Sequence, residues 1–196
     1  NSSLYVFYDK NQNIFEMDFE NAFAIDAPPY VLRYNIRNTG SIYKCAVERT
    51  NLGHDTVANS IVGVHPEIHN YSKQSQAIKA LSLIVNRLVQ KEFVSPQSIV
   101  IVSDTPYANS ILAGEERIGA FDLVFKHYKD VTGTEICFKT AEEFKGLEAN
   151  IVIYLTHEFT NLPASSVDSR KDYVALTRAR YYLYVLNTKC KATVGE

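Results

Sequence analysis

Two hydrophobic rhythms run along this chain. Residues 98–102 (SIVIV) and 151–155 (IVIYL) are short, unbroken β-branched runs, the pattern of strands covered on both faces. Residues 182–186 (YLYVL) read the same way and make the last strand. Between 76 and 93, Ile78, Leu81, Val85, Leu88 and Val89 recur at three- and four-residue steps, which predicts a helix closed by Pro96. Asn38-Thr39 opens another helix, with Ile42, Ala46 and Val47 as its buried stripe. Residues 169–180 read as a helix, and Asp104-Thr105-Pro106 as the entry to one that carries Ala108, Ile111 and Leu112. Residues 4–8 (LYVFY) are a short apolar and aromatic run of the kind that forms a buried strand, and weaker strand signals lie at 65–71, 121–125 and 136–138, with Gly133 between the last two. Residues 141–146 form a short helical turn and 161–166 a loop. From about Val31 onward strands alternate with helices, which predicts βαβ units and a mostly parallel sheet with helices on both faces.

Composition narrows this picture. Of 196 residues, 46% are hydrophobic and 21% charged, enough apolar material for a real core and too much for a disordered chain. Lys+Arg total 20 against 22 Asp+Glu, a net charge of −2, which excludes a protein that coats nucleic acid by bulk electrostatics but leaves room for a local groove. No apolar run approaches the ~18 residues of a membrane span. Cys45, Cys137 and Cys190 are far apart and form no CxxC pair, the usage of a reducing, cytoplasmic setting. The N-terminus has no signal-peptide pattern, and the one methionine is Met17, so the chain reads as a piece of something longer.

Candidate chemistry gathers in a few stretches. Ligands of parallel α/β sheets bind at the carboxyl ends of strands, and Thr140 follows the 136–138 strand. Arg178 lies four residues after Val174, between Thr177 and Ala179. A guanidinium fixed among small residues suits phosphate, because it is permanently charged and its fork matches phosphate oxygens. The plainer alternative is a surface charge paired with Asp172 or Glu148. Lys145-Gly146-Leu147-Glu148 is equally open: Gly146 can simply end a helical turn. GxxxxGK(S/T) occurs nowhere, so the chain offers no Walker A cradle for β- and γ-phosphates. His65-Pro66-Glu67-Ile68-His69 is not a metal helix, since Pro66 works against it, and no metal site is expected.

In chain order, four stretches resemble the motifs of superfamily 1 DNA helicases of the UvrD/Rep type. Residues 7–15 (FYDKNQNIF) resemble motif III, residues 35–39 (NIRNT) motif IV, residues 140–148 (TAEEFKGLE) motif V, and residues 174–179 (VALTRA) motif VI. The last two are the specific ones. Tyr8 stands where motif III has Gly, Ile36 where motif IV has Tyr, and Glu142 where motif V has His. The stretch between Leu112 and Ile136 is too short for the large 2B insertion of typical members.

The resemblance implies a three-layer, RecA-like α/β domain that lacks its own Walker A. Residues 1–28 would be the tail of a preceding motor domain, and 29–196 the second RecA-like domain. ATP with Mg2+ would be held mainly by the first domain. Arg37 and Arg178 would reach its γ-phosphate as catalytic arginines, Glu148 would contact the nucleotide from the sugar side, and Gln12 would link the γ-phosphate to the DNA track. Thr140, Lys145 and Gly146 would touch single-stranded DNA. The partners implied are that DNA and the preceding domain of the same polypeptide; the chain alone would be a monomer without ATPase activity. The alternative is a non-catalytic helicase-like module that binds nucleic acid or a protein.

Overall fold

The structure, a computed structural model, describes residues 6–18, 21, 30–157 and 166–188. The expected boundary at 28/29, residues 4 and 5 of the first expected strand, most of the 161–166 loop and Cys190 lie outside them.

Among the described residues, three α-helices and seven strands form the frame of the domain: α1 (Gly40–Thr50), β1 (Glu67–Tyr71), α2 (Gln74–Asn86), β2 (Ile99–Ser103), β3 (Arg117–Ile118), β4 (Phe121–Val124), β5 (Glu135–Thr140), β6 (Ala149–Thr156), α3 (Val167–Leu176) and β7 (Ala179–Thr188). The strands form one sheet in the order β1-β7-β6-β2-β5-β4-β3. Every neighbouring pair is parallel except β3 with β4.

Side chains alternate across each strand, and both faces are covered. Ile99, Ile101, Ile136, Phe138, Ile151 and Ile153 face α2, whose Ala77, Leu81, Ile84 and Val85 complete that core. Val100, Val102, Cys137, Val152, Tyr154 and Val185 face the other way, onto Ile42 and Ala46 of α1 and Tyr173 and Leu176 of α3. The arrangement is therefore three layers, helix–sheet–helix, as the alternation of strands and helices predicts.

Some expected elements differ. Residues 6–8 carry no strand. Asp104-Thr105-Pro106 opens no helix, only a three-residue 3-10 turn, Tyr107–Asn109. Pro106 is extended at ψ 152, and Asp104 is engaged elsewhere: its carboxylate accepts the His157 backbone N–H at 2.9 Å and pairs with the ring Nδ1 at 3.1 Å. Ile111 and Leu112 are buried all the same. The 76–93 helix starts at Gln74 and ends in a π turn, Arg87–Lys91. The 169–180 helix stops at Leu176. Thr177 still donates from both its N–H and its hydroxyl to the Tyr173 carbonyl, at 3.0 and 2.7 Å, and the Arg178 N–H then closes on the Ala175 carbonyl at 3.3 Å. Arg178 thus stands in a turn rather than on a helix, immediately before β7.

Candidate functional site

Three separate stretches meet at the amino ends of β6 and β7. Glu148 is the residue before β6, Arg178 the residue before β7, and Arg37 lies just ahead of α1. Backbone and side-chain hydrogen bonds lace them together. Ala149 N–H donates to the Arg178 carbonyl at 3.0 Å, and Thr39 N–H to the Arg180 carbonyl at 3.2 Å. The Asn38 amide donates to the carbonyls of Thr177 and Ala179, at 2.8 and 2.5 Å. Asn35 closes an Asx turn: its Oδ1 accepts the N–H groups of Arg37 and Asn38 at 3.1 and 3.0 Å.

Arg178 is 1% exposed, so it is not the surface charge of the plainer reading. Its guanidinium donates from Nε to the Val174 carbonyl (3.1 Å), from Nη1 to the Leu147 carbonyl (3.3 Å), and from Nη2 to Gln12 Oε1 (2.9 Å) and Thr177 Oγ1 (3.3 Å). Burial and then the neighbouring charge of Arg37 bring its pKa down to about 10. It stays cationic at neutral pH. Gln12 is itself oriented: Asp9 Oδ2 accepts its Nε2 at 2.7 Å, and Asp9 Oδ1 accepts the Asn11 N–H at 2.9 Å. Arg37 is half-exposed and its Nε lies 3.4 Å from Glu148 Oε2, while Arg180 Nη1 lies 3.7 Å from the other carboxylate oxygen. Asp172, the other partner considered for Arg178, instead accepts a hydrogen bond from the buried Tyr154 hydroxyl.

The residues expected at nucleic acid divide between two places. Lys145 sits on the arginine side, its ammonium 4.8 Å from the centre of the Phe15 ring, with its pKa lowered by burial and by Arg178. Gly146 follows it at φ +85, a conformation that favours glycine. Thr140 is at the opposite end of the sheet. It and Leu155 share one partner, Ser103, so Thr140 stands six strand residues beyond Ala149, about 20 Å at ~3.3 Å per residue. There Thr140 Oγ1 accepts the Glu143 N–H at 3.2 Å and Glu143 returns the bond at 2.9 Å, a reciprocal cap. Glu142 is neutralised by Lys171 at 2.6 Å.

No protein-family model matches this chain, and no curated protein does. A solved structure does match. The crystal structure of the C-terminal domain of a possible DNA helicase from Lactobacillus plantarum WCFS1 superposes with a TM-score of 0.53 at 13% identity, covering 81% of this chain and 91% of that one. The fold is RecA-like. At that identity the likeness is one of fold, and this chain is a mostly parallel α/β domain of the kind that structure shows.

Two pairs of residues escaped the sequence. Asn35 and Asn38 belong to the motif IV stretch, but only their three-residue spacing hinted at an Asx turn. Asp104 and His157 lie 53 residues apart, and only the β2–β6 pairing brings them together. Among the described residues no helix is long and apolar enough to cross a membrane, and no group of three His, Cys, Asp or Glu could hold a metal ion.

Proposed function

We propose that this chain is the second motor domain of an ATP-dependent, UvrD/Rep-like DNA helicase, working in the cytoplasm. In this reading the domain supplies Arg37 and Arg178 to ATP bound by a preceding RecA-like domain. It also supplies part of the single-stranded DNA track. The observation that carries the reading is the convergence of Arg37, Arg178 and Glu148 from distant parts of the chain at the amino ends of β6 and β7.

The electrostatics favour an anion there. Arg37 depresses the pKa of Arg178, so the two cations repel each other, and a phosphate between them relieves that repulsion. Charge that develops on the γ-phosphoryl oxygens during hydrolysis strengthens both contacts. Gln12 and Glu148 now hold these guanidinium groups and are the groups a phosphate would displace. In this reading ATP with its Mg2+ is held mainly by the preceding domain. At the far end of the sheet, Thr140 accepts from Glu143, which leaves its hydroxyl proton to donate to a DNA phosphate.

Arg37→Ala tests this in the full-length polypeptide, because Arg37 is half-exposed and its loss leaves the core intact. Steady-state ATPase should fall by ~10³ or more, as for other arginine fingers, while ATP still binds. An unchanged rate would leave the non-catalytic helicase-like module as the reading.

A further inference from the structure

Asn38 is polar and only 1% exposed, and it packs against the backbone of Ala179, a residue of the core under α1 and α3. A buried carboxamide costs free energy unless it is fully paired, and this one is. Both facing groups at Thr177 and Ala179 are carbonyls, which only accept, so the amide nitrogen must face them and spend both hydrogens there. Its oxygen accepts the Asn35 amide at 3.0 Å, and Asn35 in turn holds the backbone N–H of Arg37.

We infer that Asn38 is a positioning residue that sets Arg37 and Arg178 at a fixed separation. The two carbonyls it grips belong to the residues on either side of Arg178, so the peptide that carries Arg178 is pinned before and after its Cα. The same carboxamide orients Asn35, which fixes the turn that carries Arg37. One side chain therefore connects two segments whose arginines make no hydrogen bond to each other and whose like charges would drive them apart. Only a primary amide does this: a hydroxyl donates once, and a carboxylate would oppose both carbonyls. The inference rests on the proposed function for its catalytic meaning, but the clamp itself can be tested without it.

The first arm uses the purified chain and NMR of arginine side chains. Asn38→Ala should speed solvent exchange of the Arg178 Nε–H at least tenfold and broaden the Arg37 Nε–H. Asn38→Ser, with one donor, should fall between. Ile42→Val, a core variant in the neighbouring helix, is the control for lost stability. It should lower the melting temperature without changing the Arg178 exchange rate. Equal protection in Asn38→Ala and wild type, or equal loss in Asn38→Ala and Ile42→Val, would overturn the clamp. The second arm uses the full-length polypeptide. Asn38→Ala should lower kcat for ATP at least tenfold with KM within twofold, and Asn38→Ser should recover part of it. If Arg37→Ala leaves turnover unchanged, the catalytic reading fails while the NMR arm still decides the clamp. If Arg37→Ala is slow and Asn38→Ala is not, the positioning role fails.

Discussion

A guanidinium with four hydrogen-bonded contacts and almost no exposure is as much a structural bolt as a reagent. Arg178→Met would keep roughly the volume and strand the Leu147 carbonyl and Gln12 Oε1, leaving the Val174 carbonyl only the bond from the Thr177 hydroxyl at 3.2 Å. Each buried acceptor left without a donor costs about 1–3 kcal/mol, so urea unfolding should show a loss of at least that order. A loss under ~1 kcal/mol would mean that water reaches these carbonyls. Asp172 gives a second test at this scale. Burial first, then the charges of Asp104 and Asp168, push its pKa up to about 7 against the hydrogen bond from Tyr154. The folded state therefore binds this proton more tightly than the unfolded state, where the pKa is ~3.9. The stabilisation is complete below pH ~4 and is lost as pH rises through 7, and at ~1.4 kcal/mol per pKa unit it amounts to a few kcal/mol. Asp172→Asn should flatten the pH dependence of the unfolding midpoint between those limits, and an unaltered slope would mean the carboxyl stays ionised. At this scale Gln12, Arg37, Glu148 and Arg178 stand out as candidates in the sequence because their stretches are short and local, and Arg178 contacts Gln12 as Arg37 contacts Glu148. Asn38 as a brace does not, since its partners lie 139 and 141 residues away.

Among elements, the strands that report themselves in sequence are those buried on both faces. β2 is buried at every position, and its β-branched run is unmistakable. β1, at the sheet edge, carries Glu67, His69 and Asn70 and gives a faint signal; β3 has two residues and no period at all. The end of α3 was hidden for a different reason: no Gly or Pro marks it, and the last turn tightens as the Arg178 N–H closes on the Ala175 carbonyl at 3.3 Å. The turns allow an ordering test. Gly146→Ala meets no atom within 4 Å, so its cost is the backbone strain of φ +85 alone, ~1–2 kcal/mol. Gly53→Ala adds to φ +82 a Cβ only 2.8 Å from the hydroxyls of both Tyr43 and Tyr173, the first of which donates to the Gly53 carbonyl. Thermal unfolding should place Gly53→Ala clearly below Gly146→Ala, and the reverse order would mean that the tyrosines move aside freely.

For the molecule as a whole, a net charge of −2 leaves no broad field to draw in a polyanion. Titration of a labelled single-stranded oligonucleotide should give affinity no tighter than the non-specific range of ~10⁻⁴–10⁻⁶ M at physiological salt. Glu142→Gln releases Lys171 from its ion pair and should raise that affinity at low salt, with the gain shrinking once the screening length falls to ~8 Å. Unaltered affinity at low salt would take Glu142 and Lys171 off the track. The three-layer plan was legible because alternation of strand and helix dictates it; the division of the site between two ends of the sheet was not, because that depends on register. That division has a consequence for how such chains can vary over time. Residues 141–148 carry the chain from Thr140 back to Ala149 in nine Cα–Cα steps, whose fully extended reach of ~30–32 Å exceeds the span of about 20 Å by ~10–12 Å, and the turns at 141–146 take up that difference. Such a traverse has little slack left. Side chains along it are free to drift, but a residue gained or lost would drag one end of the sheet out of step with the other. Alignment of related sequences should therefore show substitutions between positions 140 and 149 and no gaps.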